Sequence, residues 1–304
     1  MAWHLPALLT TTHSDLRRRK VSPITRSHCQ PAACHNLTSL PVNATCSLCA
    51  LLSNPYEMED GIILHRTSEC RILLYPDLTV VKIGRRVTPD EPAALELAAE
   101  LGLPVPQVHK AGTGSVDGEA YIRMDYVQGE RLDSVWPSMT EEEKVGICGQ
   151  LRGILTNMRS LPWRTALIGS CLGRAARDCR QYTDYSDGPY GDEETFNTSF
   201  YFDLVKTIPV PIRAALYQQL RNDHRIVFSH GDLAQHNILV KEGQITGLLD
   251  WEYSGWYPEH WDYIKFFERP CKYRDWKDRA KEIFPQCYDS ELAYHQAILR
   301  WQRP

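Results

Sequence analysis

The chain has 304 residues, which is enough for one large domain or for two lobes of about 100 to 200 residues each. Hydrophobic residues make up 43% of it and charged residues 24%, as in ordinary globular proteins. The formal net charge of -4 argues against a nucleic-acid partner, and no apolar run approaches the roughly 18 residues that would span a bilayer, so no membrane partner is expected.

The first 58 residues differ in composition from the rest and are predicted to form a disordered basic tail. The only acid before Tyr56 is Asp15, and a run of four basic residues lies just after it at positions 17–20. The apolar segment of a secretory signal is missing from this stretch. We therefore expect a cytoplasmic protein, with a mitochondrial presequence as the alternative.

Ten cysteines are present, and four of them fall within the tail. Together with His28 and His35 these four suggest a zinc site, but their spacing does not repeat, which favours an unstructured segment. The tail cysteines are Cys29, Cys34, Cys46 and Cys49. The other six are scattered along the chain, as expected for reduced thiols that pack as small apolar side chains.

Ordered structure is predicted from Gly61 onward. Short strands are expected at 62–65, 71–75 and 79–83, and the third of them carries Lys82 among apolar residues. A lysine in such a strand is either an edge residue or a functional one. A helix capped near Thr88 is predicted to run through 93–101, and a further strand at 120–127.

The chain turns mainly helical after Arg131. Helices are predicted at 145–158, 200–206 and 211–221. An acidic, glycine-containing loop at 186–200 precedes the second of them. Its acids could attract a cationic substrate, or they could simply be solvated.

The stretch from residue 227 to residue 250 carries the chemistry. An apolar strand leads into HGDLAQHN at 230–237, and a hairpin with a polar turn at 241–244 then delivers Asp250. This arrangement places Asp232, Asn237 and Asp250 around one small volume. One acid, Asp232, can accept a hydroxyl proton, while Asn237 and Asp250 can hold Mg²⁺ together with substrate phosphates. The alternative is a buried hairpin whose acids are only turn residues.

The pattern HxDxxxxN, succeeded by a hairpin and an Asp, resembles the catalytic and metal-binding loops of protein kinases. The variant HGDLAQHN with LLDWE is similar to the aminoglycoside phosphotransferase family of kinase-like enzymes, particularly its fungal members. The resemblance implies an α+β, bilobal protein kinase-like fold. A small β-rich nucleotide-binding lobe is expected at 59–128 and a larger, mainly helical catalytic and substrate lobe at 129–304.

The resemblance also implies a function and the roles of further residues. It implies that the γ-phosphate of ATP, bound with Mg²⁺, is transferred to a hydroxyl of a small molecule. Lys82 would grip the nucleotide phosphates and be held by Glu91. The segment from Met124 to Tyr126 would form the hinge, whose backbone hydrogen-bonds adenine. Two residues, His230 and Asp262, would support the catalytic loop.

Two features keep alternatives open. The turn at 67–71 contains no glycine, although protein kinases cover the phosphates with a glycine-rich loop, so a weak or inactive nucleotide-binding scaffold is the alternative. A protein kinase is less favoured. The segment after Asp250 is too short for a phosphorylated activation segment, and the His-Gly-Asp sequence lacks the arginine that receives such a phosphate.

Overall fold

A computed structural model describes residues 61–114, 118–180 and 183–302. The predicted tail at 1–58, with its candidate zinc ligands, lies outside the described residues. Within the described part of the chain, no helix combines the length and apolar character needed to cross a bilayer.

Thirteen strands are found in the described residues. They are β1 (Ile62–Arg66), β2 (Cys70–Leu74), β3 (Thr79–Gly84), β4 (Val108–Thr113), β5 (Ala120–Asp125), β6 (Glu130–Arg131), β7 (Gly169–Ser170), β8 (Ala176–Arg180), β9 (Thr183–Asp187), β10 (Ile226–Ser229), β11 (Ile238–Lys241), β12 (Gln244–Leu248) and β13 (Gly255–Pro258). The α-helices are α1 (Asp90–Glu100), α2 (Leu132–Val135), α3 (Glu141–Ser160), α4 (Glu193–Phe196), α5 (Val210–Tyr217), α6 (Trp261–Glu268), α7 (Arg274–Asp278), α8 (Ala280–Ile283) and α9 (Asp289–Leu299).

The N-terminal lobe is an antiparallel sheet with one helix against it. The sheet has the order β1-β2-β3-β5-β4, so β3 is the central strand. Lys82 on β3 lies between Ile72 of β2 and Ile122 of β5, which excludes the edge-strand interpretation of this lysine. Helix α1 buries Ala94 and Leu95 and completes the core of the lobe.

The C-terminal lobe is built around α3, which begins with a capping box formed by Thr140 and Glu143. One face of this helix is buried, as its apolar residues at positions 147, 151, 155 and 158 require. Two small sheets carry the site, in the orders β10-β13-β7 and β12-β11-β6. Five fully buried tryptophans fill the core of this lobe: Trp136, Trp251, Trp256, Trp261 and Trp276. The α+β class with a β-rich first lobe and a helical second lobe is confirmed.

The structure differs from the sequence predictions at three places. The predicted helix at 200–206 is wrong: a π-helical turn, Asn197–Tyr201, is found instead, with Phe202 as its C-cap. The hairpin of β8 and β9 was missed because the buried face of β8 carries Asp178 and Arg180, so its pattern is not an apolar alternation. Strand β13 lies between Asp250 and α6, in a segment for which the sequence predicted no strand.

Candidate active site

The catalytic loop comes directly after β10 and turns through Gly231. This glycine has φ of +78°, and a Cβ placed there would lie 2.5 Å from the carbonyl oxygen of Tyr253. Only glycine is accommodated by both constraints. A glycine between His230 and Asp232 is therefore required for a steric reason. A short 3₁₀ turn, Gln235–Asn237, then leads into β11.

The side chains of Asp262 and His230 form hydrogen-bond contacts with this loop. Asp262 accepts hydrogen bonds from the backbone N–H of Gly231 at 2.8 Å and of His230 at 3.3 Å. The ring of His230 is fully buried; its Nε2 lies 3.1 Å from the carbonyl oxygen of Leu249, and its Nδ1 lies 3.2 Å from the N of Asp232. Burial lowers the pKa of His230 although Asp262 and Asp232 raise it, which favours a neutral ring bridging the two motif segments.

Asp232 lies in a buried position beside Arg269, a residue that sequence reasoning missed. The guanidinium Nε of Arg269 is 3.2 Å from Asp232 Oδ1, an ion-pair distance without the alignment of a hydrogen bond. The same guanidinium donates to the carbonyl oxygens of Gly231 at 3.0 Å and of Cys179 at 3.2 Å. Arg269 thus fixes the loop and places a positive charge against the carboxylate of Asp232.

Asn237 and Asp250 present oxygen atoms next to the catalytic loop. Asn237 donates from Nδ2 to the carbonyl oxygen of Asp232 at 3.1 Å, which fixes the amide plane. Its buried Oδ1 forms no hydrogen bond with any residue that the structure describes. Asp250 has φ of +63°, an uncommon conformation that is often found at functional sites. An unused amide oxygen and a carboxylate form a donor set that suits Mg²⁺.

Lys82 connects the two lobes at the site. Its Nζ lies 2.7 Å and 2.9 Å from the carboxylate oxygens of Glu91 and 2.8 Å from Asp250 Oδ1. Burial lowers the pKa of this lysine, but the charges of Asp250, Glu91 and Glu252 raise it well above its ordinary value. The ammonium is therefore charged, and it lies where a fixed cation can contact phosphates.

A cleft lies between the sheet of the N-terminal lobe and the segment that contains Leu249 and Asp250. Its lining residues are Ile72, Lys82, Glu91, Leu95, Pro106, Met124, Leu249 and Asp250. The lining thus combines five apolar side chains with the charged groups of Lys82, Glu91 and Asp250. A mainly apolar lining with a few charged groups is typical of small-molecule sites.

The predicted hinge contacts need a correction. The backbone N–H of Tyr126 donates to the carbonyl oxygen of Leu78 at 3.0 Å, so in this structure it is not directed toward adenine. Met124 is paired within β5 to strands on both sides and reaches the cleft through its side chain. The role of both residues in binding the base stays a prediction, and the backbone hydrogen bond expected from Tyr126 is not available here.

Glu252 and Arg86 also join the site and were not anticipated. Glu252, two residues after Asp250, lies 2.8 Å from Nη2 of Arg86, which comes after β3 in the first lobe. Burial and the neighbouring Asp250 raise the pKa of Glu252 to about 7. The second acid of the LLDWE sequence was the available signal for Glu252. The partner of Glu252 has no local signal because it is 166 residues away in sequence.

The acidic loop at 186–200 uses several of its acids internally. Asp187 accepts a hydrogen bond from Tyr190, and Asp192 caps α4 by accepting from the backbone N–H of Thr195. Glu193 is buried against His224. These three acids have structural partners, so they give little support to the hypothesis of an acidic attractor for a cationic substrate.

A family model described as the APH phosphotransferase enzyme family matches residues 78–287. The matched range contains Lys82, Glu91, the HGDLAQHN segment and Asp250. The chain belongs to the APH phosphotransferase family. A comparison of this APH-family chain with curated proteins finds no match.

Solved structures of phosphotransferases are similar to the APH-family chain in fold. An aminoglycoside-3'-phosphotransferase of type VIII is 16% identical, with a TM-score of 0.52, covering 79% of this chain and 92% of that one. The streptomycin–ATP ternary complex of APH(2")-IIa is 15% identical, with a TM-score of 0.54 and coverage of 84% and 87%. The ADP-bound APH(2'')-Ib is 14% identical, with a TM-score of 0.55 and coverage of 80% and 82%. At these identities the likeness establishes the bilobal fold.

Proposed function

We propose that this chain is an ATP-dependent phosphotransferase that transfers the γ-phosphate to a hydroxyl of a small molecule. The observation that carries the proposal is the contact of Lys82 with both Glu91 and Asp250. This contact places Lys82, the proposed phosphate-binding cation of the first lobe, next to Asp250, a candidate metal ligand of the second lobe. Similar structures contain ATP or ADP, and one of them contains ATP together with streptomycin.

Each residue has a distinct part in the proposed reaction. Asp232 accepts a hydrogen bond from the acceptor hydroxyl, orients its oxygen toward the γ-phosphorus and receives the proton as the phosphate is transferred. Asn237 and Asp250 would hold Mg²⁺, which neutralises charge on the phosphates. Lys82 adds a fixed positive charge, and Arg269 keeps the carboxylate of Asp232 in one orientation.

Replacing the proposed base tests this function. Asp232→Ala is expected to abolish phosphate transfer while ATP binding stays nearly intact, because the carboxylate contacts the acceptor rather than the nucleotide. Acceptors are found by screening hydroxylated metabolites for an ATP-dependent mass gain of one phosphate. Transfer is then measured by ADP release, and binding by calorimetry with Mg·ATP. Asp187→Asn, which changes an acid bonded to Tyr190, is the control and should keep full activity. Wild-type transfer rates in Asp232→Ala would remove Asp232 from this role.

A nucleotide-binding protein with little or no transfer activity is the second candidate. The turn between β1 and β2 favours it, because Thr67 Oγ1 accepts hydrogen bonds from the backbone N–H groups of Glu69 at 3.2 Å and Cys70 at 3.0 Å. Those N–H groups are therefore engaged within the turn rather than offered to phosphates. Thermal stabilisation by Mg·ATP without turnover against any acceptor would support this candidate over the first.

The structure adds no support to a protein kinase function. Between Asp250 and the start of α6 at Trp261 the chain forms only β13 and short turns. A segment that binds a peptide and is switched by phosphorylation has no room there. Labelling of generic peptide substrates, assayed beside the metabolite screen, would reverse this conclusion.

A further inference from the structure

Three side chains from separate segments of the C-terminal lobe meet away from the nucleotide cleft. Glu193 opens α4, His224 lies between α5 and β10, and His260 immediately precedes α6. One potential ligand atom from each lies within 4.8 Å of the others. We name these three residues the Glu-His-His cluster.

The cluster is buried and one of its nitrogens has no partner. Glu193 is 6% exposed and His260 is 4% exposed. Nδ1 of His260 is shielded from solvent and forms no hydrogen bond with a described residue. Buried polar atoms are nearly always satisfied, so an unused, buried imidazole nitrogen on a member of this cluster calls for a ligand.

A further carboxylate, that of Glu291, lies beside the cluster. Glu193 Oε1 lies 2.7 Å from Nδ1 of His224, and Glu291 Oε1 lies 3.3 Å from the Nε2 of the same ring. A metal bound to His224 would replace one of these two contacts, with release of a proton.

The donor types select the class of metal. Two imidazole nitrogens with one carboxylate suit zinc and similar transition metals, whereas Mg²⁺ and Ca²⁺ prefer oxygen alone. Ligand atoms in a tetrahedral zinc site are about 3.4 Å apart when the bonds are roughly 2.1 Å long. Glu193 Oε1 and His224 Nδ1 are closer than this, at 2.7 Å, whereas the cluster as a whole extends to within 4.8 Å, so binding a metal requires the side chains to readjust by roughly 1 Å.

Access to the cluster is provided by a polar cavity at the lobe surface. His224 and Glu291 line this cavity together with Glu259 and Asp289. A hydrated cation could pass these carboxylates and retain one water molecule as its fourth ligand.

We propose that Glu193, His224 and His260 form a binding site for a divalent transition metal of the zinc class. The site ties together α4, the segment before β10 and the start of α6. His260, which comes just before α6, is two residues from Asp262, and Asp262 accepts a hydrogen bond from the catalytic loop. The proposal does not depend on the phosphotransferase activity.

Zinc binding by the full-length chain tests the proposal. After removal of metal by a chelator, the wild-type chain is expected to bind one equivalent of Zn²⁺ in competition with a chromophoric chelator, and its melting temperature should rise. Glu193→Gln and His260→Gln, which keep side-chain size, should each weaken that affinity at least tenfold. His109→Gln is the control, because His109 contacts a carboxylate, Asp125 at 2.7 Å, outside the cluster.

A cobalt spectrum of the wild-type chain decides the matter even if a variant fails to fold. Co²⁺ at the cluster should give visible d–d bands without the near-ultraviolet band of thiolate coordination. If one equivalent of Co²⁺ binds and its spectrum contains the thiolate band, the metal is bound by cysteines and the proposal is overturned. Failure to bind zinc at micromolar concentrations, or equal affinity in wild type and His260→Gln, would overturn it as well.

Discussion

Lys82 is a buried ammonium held by two carboxylates, and each of these has a different task. Glu91 accepts two hydrogen bonds from it, at 2.7 Å and 2.9 Å, and Asp250 accepts one, at 2.8 Å. A bound Mg·ATP would compete for both Lys82 and Asp250, since the phosphates attract the first and the metal attracts the second. Glu91 is the partner that can hold the lysine in place throughout, because it lies on the rigid helix α1.

Glu91→Gln should therefore weaken the use of ATP rather than destroy the fold. A charge-assisted hydrogen bond contributes about 1.5–3 kcal/mol, so kcat/KM for ATP should fall roughly 10- to 100-fold. Lys82 would then be drawn toward Asp250 and away from the phosphates. Steady-state kinetics at varied Mg·ATP measure this change. Glu96→Gln is the matched control, because Glu96 is an exposed glutamate on the same helix; an equal loss in both variants would refute the role of Glu91.

At the scale of elements, helix α6 holds the catalytic loop from two sides. Asp262 in its first turn accepts from the N–H groups of His230 and Gly231. Arg269, just after its last residue, donates to the carbonyl oxygen of Gly231 at 3.0 Å. Helix α6, eight residues long, and the arginine that follows it thus hold the N–H groups and a carbonyl group of the loop. The position of this helix therefore sets the position of Asp232.

Asp262→Asn should lower kcat and leave the affinity for ATP unchanged. The amide has one acceptor oxygen, so one of the two loop N–H groups loses its partner in a buried place, at a cost of about 1–3 kcal/mol. If the loop shifts in response, kcat falls roughly 10- to 100-fold. Asp289→Ala removes a different hydrogen bond to α6, the one that Asp289 accepts from the hydroxyl of Tyr263, and should lower stability without this kinetic effect. A matching kinetic loss in that control would mean that Asp262 acts only through stability.

The sequence predicted those parts of the site that depend on short-range pattern. Asp232, Asn237 and Asp250 lie within 19 residues, joined by strands with a clear apolar pattern, so their meeting is a result of local structure. Lys82 and Glu91 are separated by only nine residues, on an adjacent strand and helix. Their pairing required the family resemblance, because a first-turn acid is equally well explained by the helix dipole.

The parts that could not be predicted depend on distant contacts. Arg269 contacts the catalytic loop, but no motif in the sequence around it marks it as a site residue. The β8–β9 hairpin was hidden because Asp178 points inward to bind Lys265 at 2.7 Å, which inverts the usual polar-outward pattern. The π-helical turn replaced the predicted helix because Phe200 and Tyr201 both need to be buried against different neighbours.

At the scale of the whole molecule, buried histidines make stability depend on pH. Burial lowers the pKa of His230, His260 and His295. Each takes up its proton on unfolding, so its contribution to stability is present above the pKa of about 6.5 of unfolded histidine and is lost as pH falls below it. The raised pKa values of His224 and Glu252 act in the opposite sense.

His295→Gln isolates one of these contributions. Between pH 7 and pH 5.5 the unfolding free energy of this variant should fall less steeply than that of wild type, by at most about 1.4 kcal/mol per pH unit. Urea denaturation at several pH values measures both slopes. Tyr201→Phe is the control, because it removes the hydroxyl bonded to the same ring at 2.9 Å and keeps the imidazole. It should lower stability at every pH and leave the slope unchanged, whereas a flattened slope there would contradict the assignment.

The two lobes are also joined outside the cleft, by Arg86. Its guanidinium Nη2 lies 2.8 Å from Asp184 on β9 and 2.8 Å from Glu252, and it also bonds the hydroxyl of Tyr253. Arg86 belongs to the first lobe, and all three partners belong to the second. Because Glu252 is two residues from Asp250, this bridge couples the relative position of the lobes to Asp250, the proposed metal ligand.

Arg86→Ala is therefore expected to raise the KM for Mg·ATP roughly tenfold, as the loss of a charge-assisted bridge worth about 1.5 kcal/mol predicts. Backbone amides of β9 should exchange with solvent faster in the variant, because Asp184 loses its partner in the first lobe. Arg123→Ala is the matched control, since Arg123 bonds Asp77 and Thr79 within the first lobe alone. It should change neither the KM nor the exchange of β9. Equal effects of the two substitutions would show that Arg86 stabilises the first lobe and does not couple it to the second.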